Sequence, residues 1–552
     1  MTKGVISSVD PLLFARAWPK GPGMGEKQNQ RLDSWKEIAR YLGRDVRTVI
    51  RWEKQRSLPI HRVPGGKGHA VFAYSAEVDA WLSGQPRNGS EPHPAPPRPM
   101  VAVLPFVNGH GPQSEYLSDG LAESVIRSLG HWSKLRVMSW SAVAPYKNCP
   151  ADPRRVGSEL NAKVVLMGRV APEENSWRVS VELVDSSDGA QLWGTSYVRS
   201  FDQLVAVPER IAGEVARRLQ DADPPARNAR PAPKPEAFRQ YLMGRHCWNQ
   251  GTGEAMHKAL EYYEKAVRVD PTLAEAYAET ALCCCMLGYG FGDLISTDLL
   301  QRAEAAAHRA LELDDTLAEA HACLVWLSPF QTWDLREVEK GLKRAIELNP
   351  SYALGRSSYA ILLTLRADYE GAIRQHRLAL ELDPHGEMLR TELVACYCFA
   401  ERYDEAIRLA KEELQRNAES LFSHYFLGWA YLSKGMVAEA IASLEHCVSI
   451  SLINTLPLGI LGYAYAANSE REKALGVLER LDALAKQRPA AFVSRAITQM
   501  GLKDKAGALD SLERAREARS PFLWYMKHWW WFDDLHEEPR FQELARHVGV
   551  QI

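Results

Sequence analysis

A chain of 552 residues exceeds what one hydrophobic core organises, since single domains stop growing at roughly 250 to 300 residues, so three or more units are expected. A hydrophobic share of 46% and a charged share of 25% exclude large-scale disorder. A net charge of -2 excludes a uniformly basic nucleic-acid coat and leaves such a function to a local patch. No run reaches the roughly 18 to 20 apolar residues of a membrane span, so no membrane partner is expected.

Residues 1–30 read as a loose leader without the apolar core and cleavage site of a signal peptide, which predicts a cytoplasmic protein. The nine cysteines are an odd number without metal-ligand spacing, so buried, reduced thiols and no metal site are expected.

In residues 31–82, Trp35, Ile38, Ala39 and Leu42 fall on one helix face, and Gly43 ends that helix. Asp45 is suited to cap a second helix, Asp45 to Gln55, with Val46, Val49 and Ile50 facing inward and Trp52 in the core. Two short helices joined by a tight turn predict helix-turn-helix geometry. The segment LPIHRVPGGKGHAVFAY alternates around a glycine turn at Pro64 to Gly68, the signal of a hairpin wing. From Glu26 to Gly84 there are eleven Lys or Arg against seven Asp or Glu, so the block is locally basic.

Residues 83–99 and 221–236 are proline-rich and lack apolar side chains, as semi-rigid linkers do. Between them, residues 100–220 predict a small α/β layer. PMVAVLPFVN reads as a strand and SEYLSDGLAESVIRSLG as a helix, with Asp119-Gly120 as a turn at its start. LRVMSWSAV reads as a strand and DPRRVGSELN as a helix. KVVLMGRVAP and the hairpin SWRVSVELVD/AQLWGTSYVR precede a last helix from Phe201 to Gln220.

Residues 237–520 repeat. Pro350 and Pro384 lie 34 apart, and RAIELNP and LALELDP echo EKAVRVDP and RALELDD, a helix-turn-helix period that allows about eight repeats. Leu427, Gly428, Tyr431 and Ala440 recur as Leu461, Gly462, Tyr465 and Ala474, and as Leu393, Tyr397 and Ala406 with Val394 for the glycine. The early repeats depart from this around Gly251, at GYGFGDLIS and at Pro329. Residues 521–552, with Trp529, Trp530 and Trp531, read as a capping segment more than as a hot-spot patch. The fold class expected is therefore multidomain: a small winged helix-turn-helix, a small α/β domain, then an all-α solenoid.

These segments resemble known families. LGRDVRTVIRWEKQRSLP resembles the winged helix-turn-helix of the MerR and excisionase type over about fifty residues. That resemblance implies double-stranded DNA as partner, with Arg47, Thr48 and Arg51 facing the major groove and Arg44, Lys54, Arg56, Arg62, Lys67 and His69 on backbone phosphates. A single module buries little area, so a homodimer or a partner is expected. VAVLPF, LSDGLAESVIRSL and WRVSVELVDSSDGAQLWGTSY resemble the TolB-like or FlgO-like domain of bacterial signalling proteins, which implies a sensory or assembly module. The third block is similar to tetratricopeptide repeats, whose concave groove implies a protein or peptide partner.

Two functions fit: a DNA-binding transcriptional regulator with an interaction scaffold, or a non-enzymatic signalling or assembly scaffold whose winged module contacts protein. Catalysis and cofactors are not expected. PGGKGH lacks the spacing of a phosphate-binding loop, GxSxG and HExxH are absent, and the sixteen histidines are scattered.

Overall fold

The computed structural model describes residues 31–32, 34–42, 46, 49, 58–62, 71–75, 77–78, 98–147, 152–219, 232–288, 296–327, 335–451, 454–486, 488 and 491–550. The chain divides into two compact units, Met1–Pro97 and Arg98–Ile552.

In the first unit the strands β1 (Arg31–Leu32), β2 (His61–Arg62) and β3 (Val71–Tyr74) form an antiparallel sheet in the order β1-β3-β2. The helix Trp35–Tyr41 starts at Ser34, whose hydroxyl accepts the Glu37 amide at 3.2 Å. Leu32, Ile38, Ala39, Val49, Leu58, Val71, Ala73 and Val78 close one small core. The short β1 carries no alternation of its own, and sequence reading did not find it. The Gly43 turn, Trp52 and the Pro64–Gly68 turn lie outside the described residues.

The second unit opens with β4 (Met100–Val103), β5 (Val107–Asn108), β6 (Arg136–Val137), β7 (Val164–Glu173), β8 (Ser176–Asp185) and β9 (Gln191–Arg199). The sheet runs β6-β4-β7-β8-β9, with β5 also on β7. The pairs of β4 with β6 and β7 are parallel, and β7-β8-β9 is an antiparallel meander. Gly168 is needed in β7, because a Cβ there would stand 2.5 Å from the Phe106 ring.

Two local expectations are corrected. LRVMSWSAV is a strand only at Arg136–Val137. Ser139 then accepts the Ala142 amide and caps a short helix, Trp140–Val143, so side-chain capping outcompetes strand propensity. Asp119 and Gly120 are not a turn but lie inside the helix Glu115–Gly130, where a Cβ on Gly120 would sit 2.6 Å from Leu242.

Sixteen helices from Pro235–Trp248 to Lys505–Glu517 form eight antiparallel pairs among the described residues, a tetratricopeptide-like solenoid. The first helices of pairs four to seven are Ala353–Leu365, Glu387–Phe399, Leu421–Ser433 and Thr455–Ala467, each starting 34 residues after the last. The repeat residues are structural. Ala406, Ala440 and Ala474 are fully buried, and a Cβ on Gly428 would press to 2.5 Å from Leu444. One residue just past the first helix of five successive pairs adopts positive φ: Ala367, Glu401, Gly435, Ser469 and Lys503, again 34 apart.

The α/β layer and the solenoid are not independent blocks. Val125 and Leu129 of the layer share one core with Phe238, Leu242 and Leu260 of the first helix pair. The thiols of Cys283, Cys284, Cys285 and Cys323 lie inside this region, free and buried.

Candidate functional site

Of the residues expected on DNA, Arg44, Arg47, Thr48, Arg51, Lys54, Arg56, Lys67 and His69 lie outside the described residues. Arg62 is placed in β2, opposite Val71. Beside it, His61 stacks on Phe72 with ring centroids 5.0 Å apart and meets Glu77 Oε2 at 2.7 Å. The Arg31 guanidinium lies 4.1 Å above the Phe72 ring, so a basic group at each sheet edge is held by an aromatic side chain.

The densest polar cluster is at the junction of the α/β layer with the solenoid. Arg127 donates to Glu279 Oε1 at 2.5 Å, and Arg245 pairs with Glu279 Oε2 at 2.8 Å and with Glu123. Glu279 is 1% exposed. Burial works to raise its pKa, but Arg245 and Arg127 outweigh it and hold the carboxyl below the usual range. Asp119 receives Lys147 at 2.7 Å and faces His246 at 3.1 Å. Backbone contacts extend the seam. Ser139 donates its amide to Leu382 at 2.9 Å, and the Val137 amide donates to Ser351 Oγ at 3.0 Å. Apart from Arg245–Glu279 and Asp119–Lys147, these partners lie 122 to 243 positions apart in the chain, so no local pattern announces them.

Toward the other end of the solenoid, residues 521–535 do more than cap the last pair. Capping falls to the helix Pro539–His547, where Arg540 bridges Asp510 and Glu513. The preceding segment runs back across the first helices of earlier pairs. His528 Nε2 meets the Leu365 carbonyl at 3.0 Å, Tyr525 stacks on Phe399, Trp531 lies 5.2 Å from Trp429, and Trp530 Nε1 donates to Ser433 Oγ at 2.9 Å. Trp529 and Trp531 are buried and Trp530 half-buried.

Beneath Tyr525 and Trp529 is an aromatic cavity of about 280 Å³. Glu392 on its wall accepts from Ser357, and burial raises its carboxyl to about 7 despite that bond. Burial alone takes the neighbouring His376 down to about 3. The sequence signal for this region was the Trp triplet; its reach across four pairs carried none.

Comparison with known proteins places these features. Residues 98–202 match the family described as HilA/YgeH-like transcriptional regulator, second domain, and residues 423–454 match the tetratricopeptide repeat. The transcriptional regulator HilA of Salmonella typhimurium is 23% identical over 390 residues, 69% of this chain and 68% of its own. The "Putative adenylate cyclase 3" of Rhizobium meliloti is 27% identical over 245 residues, 43% of this chain. The match spans only 42% of that relative's length. Yeast Tom70 is 14% identical over 57% of this chain and 68% of its own, with a TM-score of 0.36.

One relative corrects the reading of a chain without catalysis. The protein named "Putative adenylate cyclase 3" is 27% identical over 43% of this chain, so the lack of familiar catalytic motifs excludes no activity. No helix among the described residues is long and apolar enough to cross a membrane. The chain thus carries a HilA-like transcriptional regulator domain in its α/β layer, joined to a solenoid of tetratricopeptide repeats.

Proposed function

We propose that this chain is a cytoplasmic transcriptional regulator that binds double-stranded DNA through residues 31–82 and a protein or peptide through its repeats. The observation that carries the reading is the match of residues 98–202 to the second domain of a transcriptional regulator family, directly behind a basic module built from a short helix and a three-stranded sheet. Resemblance to the MerR and excisionase type supports Asp45 to Gln55 as the recognition helix. Arg47, Thr48 and Arg51 then read base edges. Arg44, Lys54, Arg56, Arg62, Lys67 and His69 hold phosphates. A dimer supplies the second half-site that one small module needs. The TolB-like resemblance of the middle block supports a sensory or assembly role between DNA and partner.

Selection of bound duplexes from a random pool with the full chain tests this. A shared sequence is expected to emerge, and Arg47→Ala with Arg51→Ala to abolish the preference. Lys67→Ala is expected to weaken all sequences alike and flatten the salt slope by about one. No enrichment, or enrichment untouched by the arginine changes, overturns the reading.

A further inference from the structure

The cavity at the junction of the α/β layer and the solenoid encloses about 320 Å³. Its wall carries four carboxyl groups, Glu123, Glu279, Glu319 and Asp383, against two guanidiniums, Arg127 and Arg245. Both guanidiniums are already committed: Arg127 to Glu279, and Arg245 to Glu279 and Glu123. Glu319 and Asp383 are left over. Each is 8% exposed, and neither forms an ion pair with a described residue. Asp383 Oδ2 accepts from Ser141 Oγ at 2.5 Å, while Asp383 Oδ1 and Glu319 Oε2 are buried without a hydrogen-bond partner. Arg127 lies near enough to Glu319 to feel its charge, yet the hydrogen bond it donates goes to Glu279.

A buried carboxylate without a counter-charge is costly, and a ligand that brings a positive charge relieves that cost. An anion would meet excess negative charge and no free guanidinium. A bare metal ion would find too few converging oxygens, since among the described residues no cluster of three His, Cys, Asp or Glu has metal-binding geometry. The remaining wall includes Trp140, Trp248 and Tyr352, flat π-faces that attract cations and cover apolar surface. We propose that this cavity is a binding site for a small organic ammonium with an apolar body, its charge set between Glu319 and Asp383 and its body against the aromatic rings.

Because Trp140 and Ser141 come from the α/β layer and Glu319 and Asp383 from the repeats, an occupant touches both and strengthens the seam between them. This binding does not depend on DNA recognition, so the two proposals fail separately.

Titration calorimetry on the full chain, with 2-phenylethylamine and the uncharged isostere 2-phenylethanol as probes, tests the site. The amine is expected to bind at least ten-fold more tightly than the alcohol, and Glu319→Gln, which keeps shape and removes charge, to erase that difference. Asp383→Asn is expected to act in the same direction and serves if the first variant misfolds. No amine binding, equal binding of amine and alcohol, or an unchanged ratio in both variants overturns the proposal.

Discussion

Both ends of the solenoid have the face made by their first helices covered by chain outside the repeats, but only the front adds buried charge pairs to the apolar contact. At the front, the α/β layer adds to the apolar core it shares with the first helix pair a set of polar pairs around Glu279 and Asp119. At the rear, residues 521–535 dock through rings around Trp429 and Phe399. A buried ion pair adds little net stability but penalises every wrong register, whereas aromatic burial adds stability with less discrimination. The front therefore favours a defined pose between a domain and its scaffold, and the rear favours adhesion.

Four changes would break or sharpen this contrast. The largest expected effect is Arg245→Ala, which leaves Glu123 and Glu279 facing each other without their shared cation. A loss of about 3 to 5 kcal/mol is expected, read as a lower urea midpoint for the full chain. Trp429→Ala comes next, at about 3 kcal/mol, because the cavity it opens lies under Trp531 and next to Phe399. Its urea midpoint should fall without changing the salt dependence, whereas the front variant should alter both.

The third change is pH. Glu279 is held below its ordinary value, so its stabilisation is complete above the unfolded pKa of about 4.3 and is lost only as pH falls through its lower folded value. Glu392 is raised to about 7, so its folded state keeps the proton longer than the unfolded chain. Stability at the rear is then full below about pH 4.3 and is lost as pH rises through 7, with about 2 to 3 kcal/mol of the loss falling between pH 5 and 8. The stability difference between the chain and Glu392→Gln should show this decline in thermal unfolding between pH 5 and 8, because the opposing titration of His376, held down to about 3, is common to both. A profile unchanged in that variant would assign the decline elsewhere.

The smallest effect concerns the residues at positive φ after the first helices. Glu401→Gly and Ala367→Gly should each stabilise by up to about 1 kcal/mol, since glycine adopts that conformation without strain, while Gly435→Ala should cost a similar amount. Equal melting temperatures for all three would place the turn strain elsewhere.

How much of this was legible follows from distance along the chain. Leu427, Gly428, Tyr431 and Ala440 report contacts within one helix pair, so the repeats can be read from spacing alone. The meander β7-β8-β9 is local too, and its alternation shows it. Ser139 misled because a cap depends on one hydroxyl rather than on a pattern. The Glu123–Arg245 and Arg127–Glu279 pairs and the contact of His528 with Leu365 join residues more than a hundred positions apart, and no periodicity encodes them. Of the residues expected on DNA, only Arg62 falls within the described chain.

The returning tail also bears on synthesis. Residues 521–535 leave the ribosome after every helix they cover, so Phe399, Trp429 and Tyr463 face water until that segment has been made. A chain stopped at Arg519 would hold all its repeats yet display a contiguous apolar surface of the kind that chaperones and proteases survey. Such a product is expected to bind a hydrophobic dye that the full chain ignores. The aromatic segment thus decides what the cell's quality control meets: only a chain translated through residues 521–535 can hide the surface that would condemn it.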